Sequence, residues 1–572
     1  MTEELEYDAR RYKKWLRGWL SYAFASEVFV VVSLTLFLPI CLEQFARDNG
    51  YLLPDRTIPC NAANSTVPTP GDSNSTSSLV APVEEVRCVV KLGWMWIDSA
   101  SFSLYVNSMS VALQALTVIS MGNIADHPPH RKLLLLFFAF FGSAAATLFL
   151  LLPSTSPIWP MSALLGICAN VGFGASVVAM NAYLPTLARA SEEVVKARGD
   201  MLAANDESHP ARRSNDDEGG DASEPLLRSQ EAEGDAHASG GSNTLREAYN
   251  NALSRATSRI SSFGIALGYA AGIVLLIVAL IPVTKLHGTT FSLRLAIGMS
   301  GIWWATFSLP AAIWLPSGKT KEAVVEFGDE EVEDGPWSTK REIVKAWKRL
   351  GTMLRWREVK RLRNTFKFLA AWFLLSDGFT TITSTAMLFA KTSLHMPATS
   401  LVLIGIISPV AGIAGSLAWP RIQRAAGWSN LRVLVTLVCL ASLLPAYGCL
   451  GFLPAFRSGR VRFGGLTTPA EMYVLSVYFG AVYGAFQGYA RAFYAELIPH
   501  GEEARWYALY SITDKSSSFV GPLIVGLIAD TTGNIRYAFF FLICMVWSAV
   551  PVLCAINVER GRRDAASYRF KD

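Results

Sequence analysis

Two carboxylates raise the question of chemistry first. Glu27 sits in Ser26-Glu27-Val28-Phe29, inside the apolar run Leu20 to Leu42. Asp377 sits in Ser376-Asp377-Gly378-Phe379, inside the run Phe366 to Ala390. Each run is long enough to cross the hydrocarbon of a bilayer, and each holds its carboxylate near the middle. A carboxylate there costs at least ~2.5–3.5 kcal/mol on insertion scales. It persists where it faces water, pairs with a cation or takes up a proton. The functional reading is that Glu27 and Asp377 bind a substrate ammonium or a coupling proton, with Ser376, Thr380 and Thr381 as neighbouring hydroxyls. An interhelical hydrogen bond or salt bridge that only fixes packing stays open beside it.

Further polar residues lie at depth. Arg491, Asp514 and Lys515 fall about 8–12 Å from mid-span at 1.5 Å per residue. Adjacent residues on a helix point apart, so Asp514 and Lys515 are expected to serve different partners. Arg491 with Asp514 makes an attractive pair, either a static bridge or a gate or carboxylate anchor. Asn107, Asn181 and Gln487 are candidates for a cavity wall or for packing hydrogen bonds.

The elements that must position these residues follow from composition. The chain has 572 residues, 51% of them hydrophobic and only 17% charged, where a soluble protein carries about 25% charge. Long apolar runs alternate with short charged segments, which gives an all-α polytopic membrane protein, since an open strand edge in lipid leaves backbone groups unpaired. We count twelve spans. The basic residues cluster at span ends, so the net charge of +5 speaks for topology rather than for nucleic acid, of which there is no motif. Leu20 to Leu42 is too long for a signal-peptide core and lacks a small-residue cleavage site, so it reads as a span that stays.

The basic segments before span one, after span two, before span seven and at the end of the chain share one side if both termini are cytoplasmic. The loop with Arg457, Arg460 and Arg462 is an exception. Loop 43–98 is then lumenal, and it carries both glycosylation sequons, at Asn64 and Asn74. Cys60 and Cys88 share this loop, where a disulfide can form if the lumen is oxidising. The expected order is a cytoplasmic N-terminus over 1–18, a six-helix bundle over 19–315, a central cytoplasmic loop over 316–365, a second six-helix bundle over 366–557, and a cytoplasmic tail over 558–572. Residues 190–250 are polar and expected to be disordered. Residues 337–364 read as an amphipathic basic helix at the inner membrane surface.

The halves repeat. Glu27 and Asp377 align, as do Phe173-Gly174-Ala175 with Tyr483-Gly484-Ala485, and Ser261-Ser262-Phe263 with Ser517-Ser518-Phe519. Twelve spans as two pseudo-symmetric six-helix bundles describe a major facilitator architecture, with a site near mid-bilayer between the halves. The loop Gly122-Asn123-Ile124-Ala125-Asp126-His127-Pro128-Pro129-His130-Arg131-Lys132 is similar to the gating motif of that superfamily. Gly122 would let helices approach, Asp126 would cap or bridge, and Arg131 and Lys132 would hold the inner face. His127 and Pro129 replace an Arg and a Gly of the motif, so only part of its charge relay can form. No nucleophile elbow, phosphate loop or zinc motif occurs, and the seven histidines lack metal spacing. The sequence therefore points to neither an enzyme nor a cofactor or metal.

The runs 366–391 and 491–542, with the turn Asn181-Ala182-Tyr183-Leu184-Pro185, resemble the fungal autophagy-related vacuolar amino-acid effluxers. The resemblance implies a vacuolar membrane protein that exports neutral, leucine-like amino acids after autophagic degradation. A proton-linked permease for another small solute, or a non-transporting membrane factor in autophagic-body turnover, are the alternatives. An amino acid is a zwitterion, so Glu27 or Asp377 would take its ammonium, and Arg491, Lys515 or the hydroxyls its carboxylate. Tyr22, Phe24, Phe29 and Phe379 would supply an apolar wall.

Overall fold

The computed structural model describes residues 7–54, 56–60, 87–208, 228–286, 288–317, 338–457, 463–499 and 503–568. Helix α1 (Ala9–Asp48) begins where the Asp8 carboxylate accepts from the Arg10 and Arg11 amides. That satisfies donors a helix start leaves unpaired. Over Phe29–Phe37, directly after Glu27, α1 widens to π-helical hydrogen bonding. The stretch is rich in β-branched residues, which crowd the preceding turn of an α-helix.

A three-stranded antiparallel sheet follows, made of β1 (Tyr51–Leu52), β2 (Cys88–Leu92) and β3 (Met95–Asp98). It is a local addition to a helical fold. Cys60 and Cys88 are joined as a disulfide with Cα atoms 5.9 Å apart. Asn64 and Asn74 lie outside the described residues. The remaining long helices are α2 (Ser99–Asp126), α3 (Pro128–Leu148), α4 (Met161–Asn181), α5 (Arg228–Lys285) and α6 (Thr290–Trp314). After α7 (Thr339–Met353) come α8 (Arg363–Thr392), α9 (Ala398–Ala426), α10 (Asn430–Leu450), α11 (Pro469–Ala495), α12 (Glu503–Ser517), α13 (Val520–Thr532) and α14 (Ala538–Cys554).

Among the described residues, nine helices carry an apolar stretch long enough to cross a membrane. The others of comparable length are α8, with 30 residues, α11, with 27, and the pair α12–α13, broken at Ser518-Phe519. These are the elements that carry Asp377, Arg491, Asp514 and Lys515.

Packing repeats with the sequence. In the first half α1 packs on α6, α2 on α4, and α3 on α6. In the second half α8 packs on α14, α9 on α11, and α10 on α14. Small residues set the closest approaches, as expected where van der Waals contact rather than hydrophobic exclusion drives association. A Cβ added at Gly415 of α9 would lie 2.0 Å from the Ala481 carbonyl oxygen of α11.

Two loop segments expected from the sequence are described in part. The stretch 190–250 carries helix over Glu192–Ser208 and from Arg228 onward, with 209–227 outside the described residues. Its Ala, Glu and Arg content favours helix, and Arg259 of α5 pairs with Glu193 at 2.7 Å. The amphipathic basic helix, α7, packs along α2. Trp347 of α7 donates to the Ser120 hydroxyl at 3.2 Å.

Candidate functional site

The halves meet at the end that carries the sheet. There Lys391 of α8 forms an ion pair with Glu43 of α1 and donates to the Ile40 carbonyl at 2.9 Å. The Ser101 and Ser108 hydroxyls of α2 donate to the Gly526 and Phe519 carbonyls at 2.9 and 2.7 Å. The Asp98 amide donates to the Asp530 carboxylate at 2.9 Å. Asp98 also caps α2 through the Ala100 amide. Burial pushes its carboxyl up to about 6, against the Ala100 hydrogen bond and Arg87, with Asp530 and Glu43 adding repulsion.

Toward the middle, a charged cluster draws on both halves. Glu27 comes from α1 and Tyr269 from α5. Tyr483 and Arg491 come from α11, and Tyr510, Asp514 and Lys515 from α12. Lys515 and Arg491 both act electrostatically on Glu27. Arg491 also acts on Tyr269, Tyr483 and Tyr510. Arg491 and Tyr269 are exposed, and the Lys515 side chain is 40% exposed. Gln487 donates to the Tyr483 hydroxyl at 3.0 Å.

Glu27 reaches this space over a glycine. Gly264, Gly268 and Gly272 of α5 recur every four residues and face α1. A Cβ at each would meet Trp19, the Glu27 side chain at 2.5 Å, and Val31 respectively. This is the small-residue stripe that lets two membrane helices close. The sequence expectations overlooked the stripe, Tyr269 and Tyr510, although the Gly spacing is visible in the sequence. They also overlooked the Glu43–Lys391 pair, because charges at span edges read as interfacial anchors.

Several expected members are placed elsewhere. Asp377 does not share the environment of Glu27. It is 1% exposed, accepts from the Gly521 amide at 2.8 Å and from the Thr381 hydroxyl at 3.2 Å. Gly521 lies in the first turn of α13, so Asp377 caps the helix that restarts after the break, where an anion is favoured. Ser376 donates to the Asp514 carboxylate. Thr381 is buried, and Thr380 is half-buried. Asp514 and Lys515 pair with each other at 3.5 Å. The long Lys stem swings back round the helix, and among the described residues no Arg491–Asp514 bridge forms.

Tyr22, Phe29 and Phe379 are buried in their own halves, and Phe24 packs on Trp303 and Phe307. Asn107 lines a small gap beside Leu34, Ser110 and Gly166. Asn181 is exposed at the end of α4.

At the opposite, basic end, Arg131 is buried. It donates to the Ala125 carbonyl at 2.9 Å and the Thr186 hydroxyl at 3.2 Å, over the Tyr183 ring. The Asp126 side chain lies outside the described residues. A Cβ at Gly122 would meet nothing within 4 Å, so close helix approach is not its role. His127 instead meets Glu342 of α7 at 3.3 Å. Burial works to raise the Glu342 carboxyl, but hydrogen bonds from His127 and Lys345 outweigh it and hold it below the usual range.

Two pseudo-repeated helix bundles with a charged cluster drawn from both define a polytopic membrane transporter of the major facilitator kind. Solved structures agree on the fold. The chain superposes on the inward-open xylose transporter XylE of E. coli with TM-score 0.51 at 9% identity, covering 95% of each chain. An auto-inhibited POT family peptide transporter gives 0.50 at 11% identity, covering 98% of each. Residues 11–566 match the family model described as "Vacuole effluxer Atg22 like". Autophagy-related protein 22 of Cryptococcus neoformans is 40% identical, over 97% of this chain and 96% of that protein. Autophagy-related protein 22-1 of Neosartorya fischeri is 41% identical, over 97% and 91%. The chain belongs to the Atg22 family of vacuolar effluxers, and it is a vacuolar membrane transporter.

Proposed function

We propose that the protein exports neutral, leucine-like amino acids from the vacuole lumen to the cytosol by alternating access. The sheet end faces the lumen, the basic end and both termini face the cytosol, and the nine apolar helices with α8, α11 and α12–α13 make twelve crossings. The observation that carries the reading is that Arg491 and Lys515 of the second half act electrostatically on Glu27 of the first. An α-amino acid carries its ammonium and carboxylate a few bonds apart. Glu27 takes the ammonium, and Arg491 with Lys515 takes the carboxylate. Tyr269 and Tyr483 line the side-chain pocket. The contacts gathered at the sheet end support a state closed to the lumen. Rocking the halves breaks them and closes the basic end around the site.

The test is flux of labelled leucine from vesicles containing the purified protein, with and without a pH gradient. Leucine release above that of empty vesicles is expected. Release equal to empty vesicles with leucine and every other neutral amino acid tried would overturn the substrate assignment. A rate that follows the imposed gradient adds a proton to the cycle.

A further inference from the structure

We infer that a cleft at the basic end binds the phosphorylated headgroup of a membrane lipid, a site independent of what the protein carries. The cleft is about 300 Å³ and is lined by Arg10, Lys13, Lys14, Arg17 and Trp314. The four basic residues occupy positions i, i+3, i+4 and i+7 of α1, so they form one stripe on one face. All four are exposed, and among the described residues none lies within ion-pair distance of a carboxylate. The nearby Asp8 carboxylate is engaged by the Arg10 and Arg11 backbone amides.

A fifth cation borders the stripe. Lys132 donates to the Leu315 carbonyl at 2.8 Å and is repelled by Lys14. Like charges at this spacing repel on a bare helix, and a bound anion relieves that repulsion. Trp314 ends α6, and a Cβ at Gly18 would lie 3.0 Å from its Cβ, so glycine lets the basic helix close against the tryptophan. A tryptophan at the end of an apolar helix belongs at headgroup level. The cations therefore stand at the depth of lipid phosphates, beside an apolar surface for the acyl chains.

Charge decides the headgroup. A phosphodiester lipid brings one negative charge to four or five cations. A phosphomonoester-bearing inositol lipid brings several on one ring, and a juxtamembrane basic cluster of this size suits it.

The test uses the full-length protein in detergent with short-chain lipids. Short-chain phosphatidylinositol bisphosphate is expected to bind, and short-chain phosphatidylserine to bind at least tenfold more weakly. Lys13→Ala with Lys14→Ala is expected to weaken the former about thirtyfold, from roughly fivefold per lysine. Lys348→Ala with Lys360→Ala, basic but outside the cleft, should leave it unchanged. Equal affinity for phosphatidylserine, or full binding by the Lys13/Lys14 variant, would overturn the proposal. Soluble inositol bisphosphate binding as tightly as its lipid would assign the cleft to a soluble phosphate and overturn the lipid. Should the variant lose stability, the wild-type unfolding midpoint decides. A rise with the inositol lipid and not with phosphatidylserine supports the site, and the absence of that difference sinks it.

Discussion

Lys391, in the last turn of α8, places its ammonium on the carboxylate of Glu43, which is wholly shielded from solvent near the end of α1. Arg47 adds a second contact to Glu43 at 3.1 Å. The pair ties the first helix of one half to the first helix of the other.

Lys391→Met removes the partner that crosses between the halves and leaves the buried Glu43 with Arg47 alone. It is expected to destabilise the sheet-end-closed state by ~1–3 kcal/mol. The double variant Glu43→Gln/Lys391→Met should recover most of that loss. Thermal unfolding, with thiol labelling of a cysteine introduced at the sheet end, measures both. A Lys391→Met variant as closed and as stable as wild type would refute the role.

The Asp377 carboxylate caps α13 through the Gly521 amide. Asp377→Ala strands the Gly521 amide and should cost about 1–3 kcal/mol. Asp377→Asn keeps an acceptor and should retain leucine flux within a few-fold. Loss of flux in a stably folded Asp377→Asn protein would return the residue to the transport mechanism.

Glu27 can be tested without touching its charge. Gly268→Ala puts a methyl 2.5 Å from the Glu27 Cγ and must move the carboxylate or spread α1 from α5. Both Gly268→Ala and Glu27→Gln are expected to lower flux at least tenfold, a change on the order of 1.4 kcal/mol in transition-state stabilisation. Normal flux in folded Glu27→Gln would remove the ammonium assignment.

The sheet end should tighten in acid. Asp98 sits at about 6 in the folded protein and near 3.9 in an unfolded chain. A carboxyl raised on folding adds stability that is fully present below the unfolded value and is lost as pH rises through the folded one. Wild type should therefore unfold at a higher temperature at pH 4 than at pH 7, and Asp98→Asn should flatten this slope. An unchanged slope in Asp98→Asn would show that other groups set it.

Much of the architecture was legible because membrane crossing imposes length and apolarity on each segment separately. Glu27, Arg491 and Lys515 were legible as charges at depth for the same reason, since charge stands out against an apolar run. Which way a side chain turns is set by tertiary packing, and that was not legible. Asp377 matches Glu27 in the repeat, yet the break in the α12–α13 pair brings an unpaired amide to it. Helical phase sends Asp514 and Lys515 to different partners, but a lysine stem is long enough to defeat phase, and the two pair. A Cβ at Gly122 of the gating-like loop would meet nothing within 4 Å, whereas Gly268, in a four-residue glycine spacing that went unread, packs on Glu27.

The π-helical segment of α1 lies between Glu27 and Glu43. A π turn holds more residues than an α turn, so rewinding Phe29–Phe37 to ordinary α geometry would rotate one end of the helix about its axis against the other. Glu27 and Glu43 are thus mounted on a single torsional spring. Rewinding changes the azimuth of the Glu27 carboxylate relative to the Glu43–Lys391 clasp, so if one keeps its direction the other must turn.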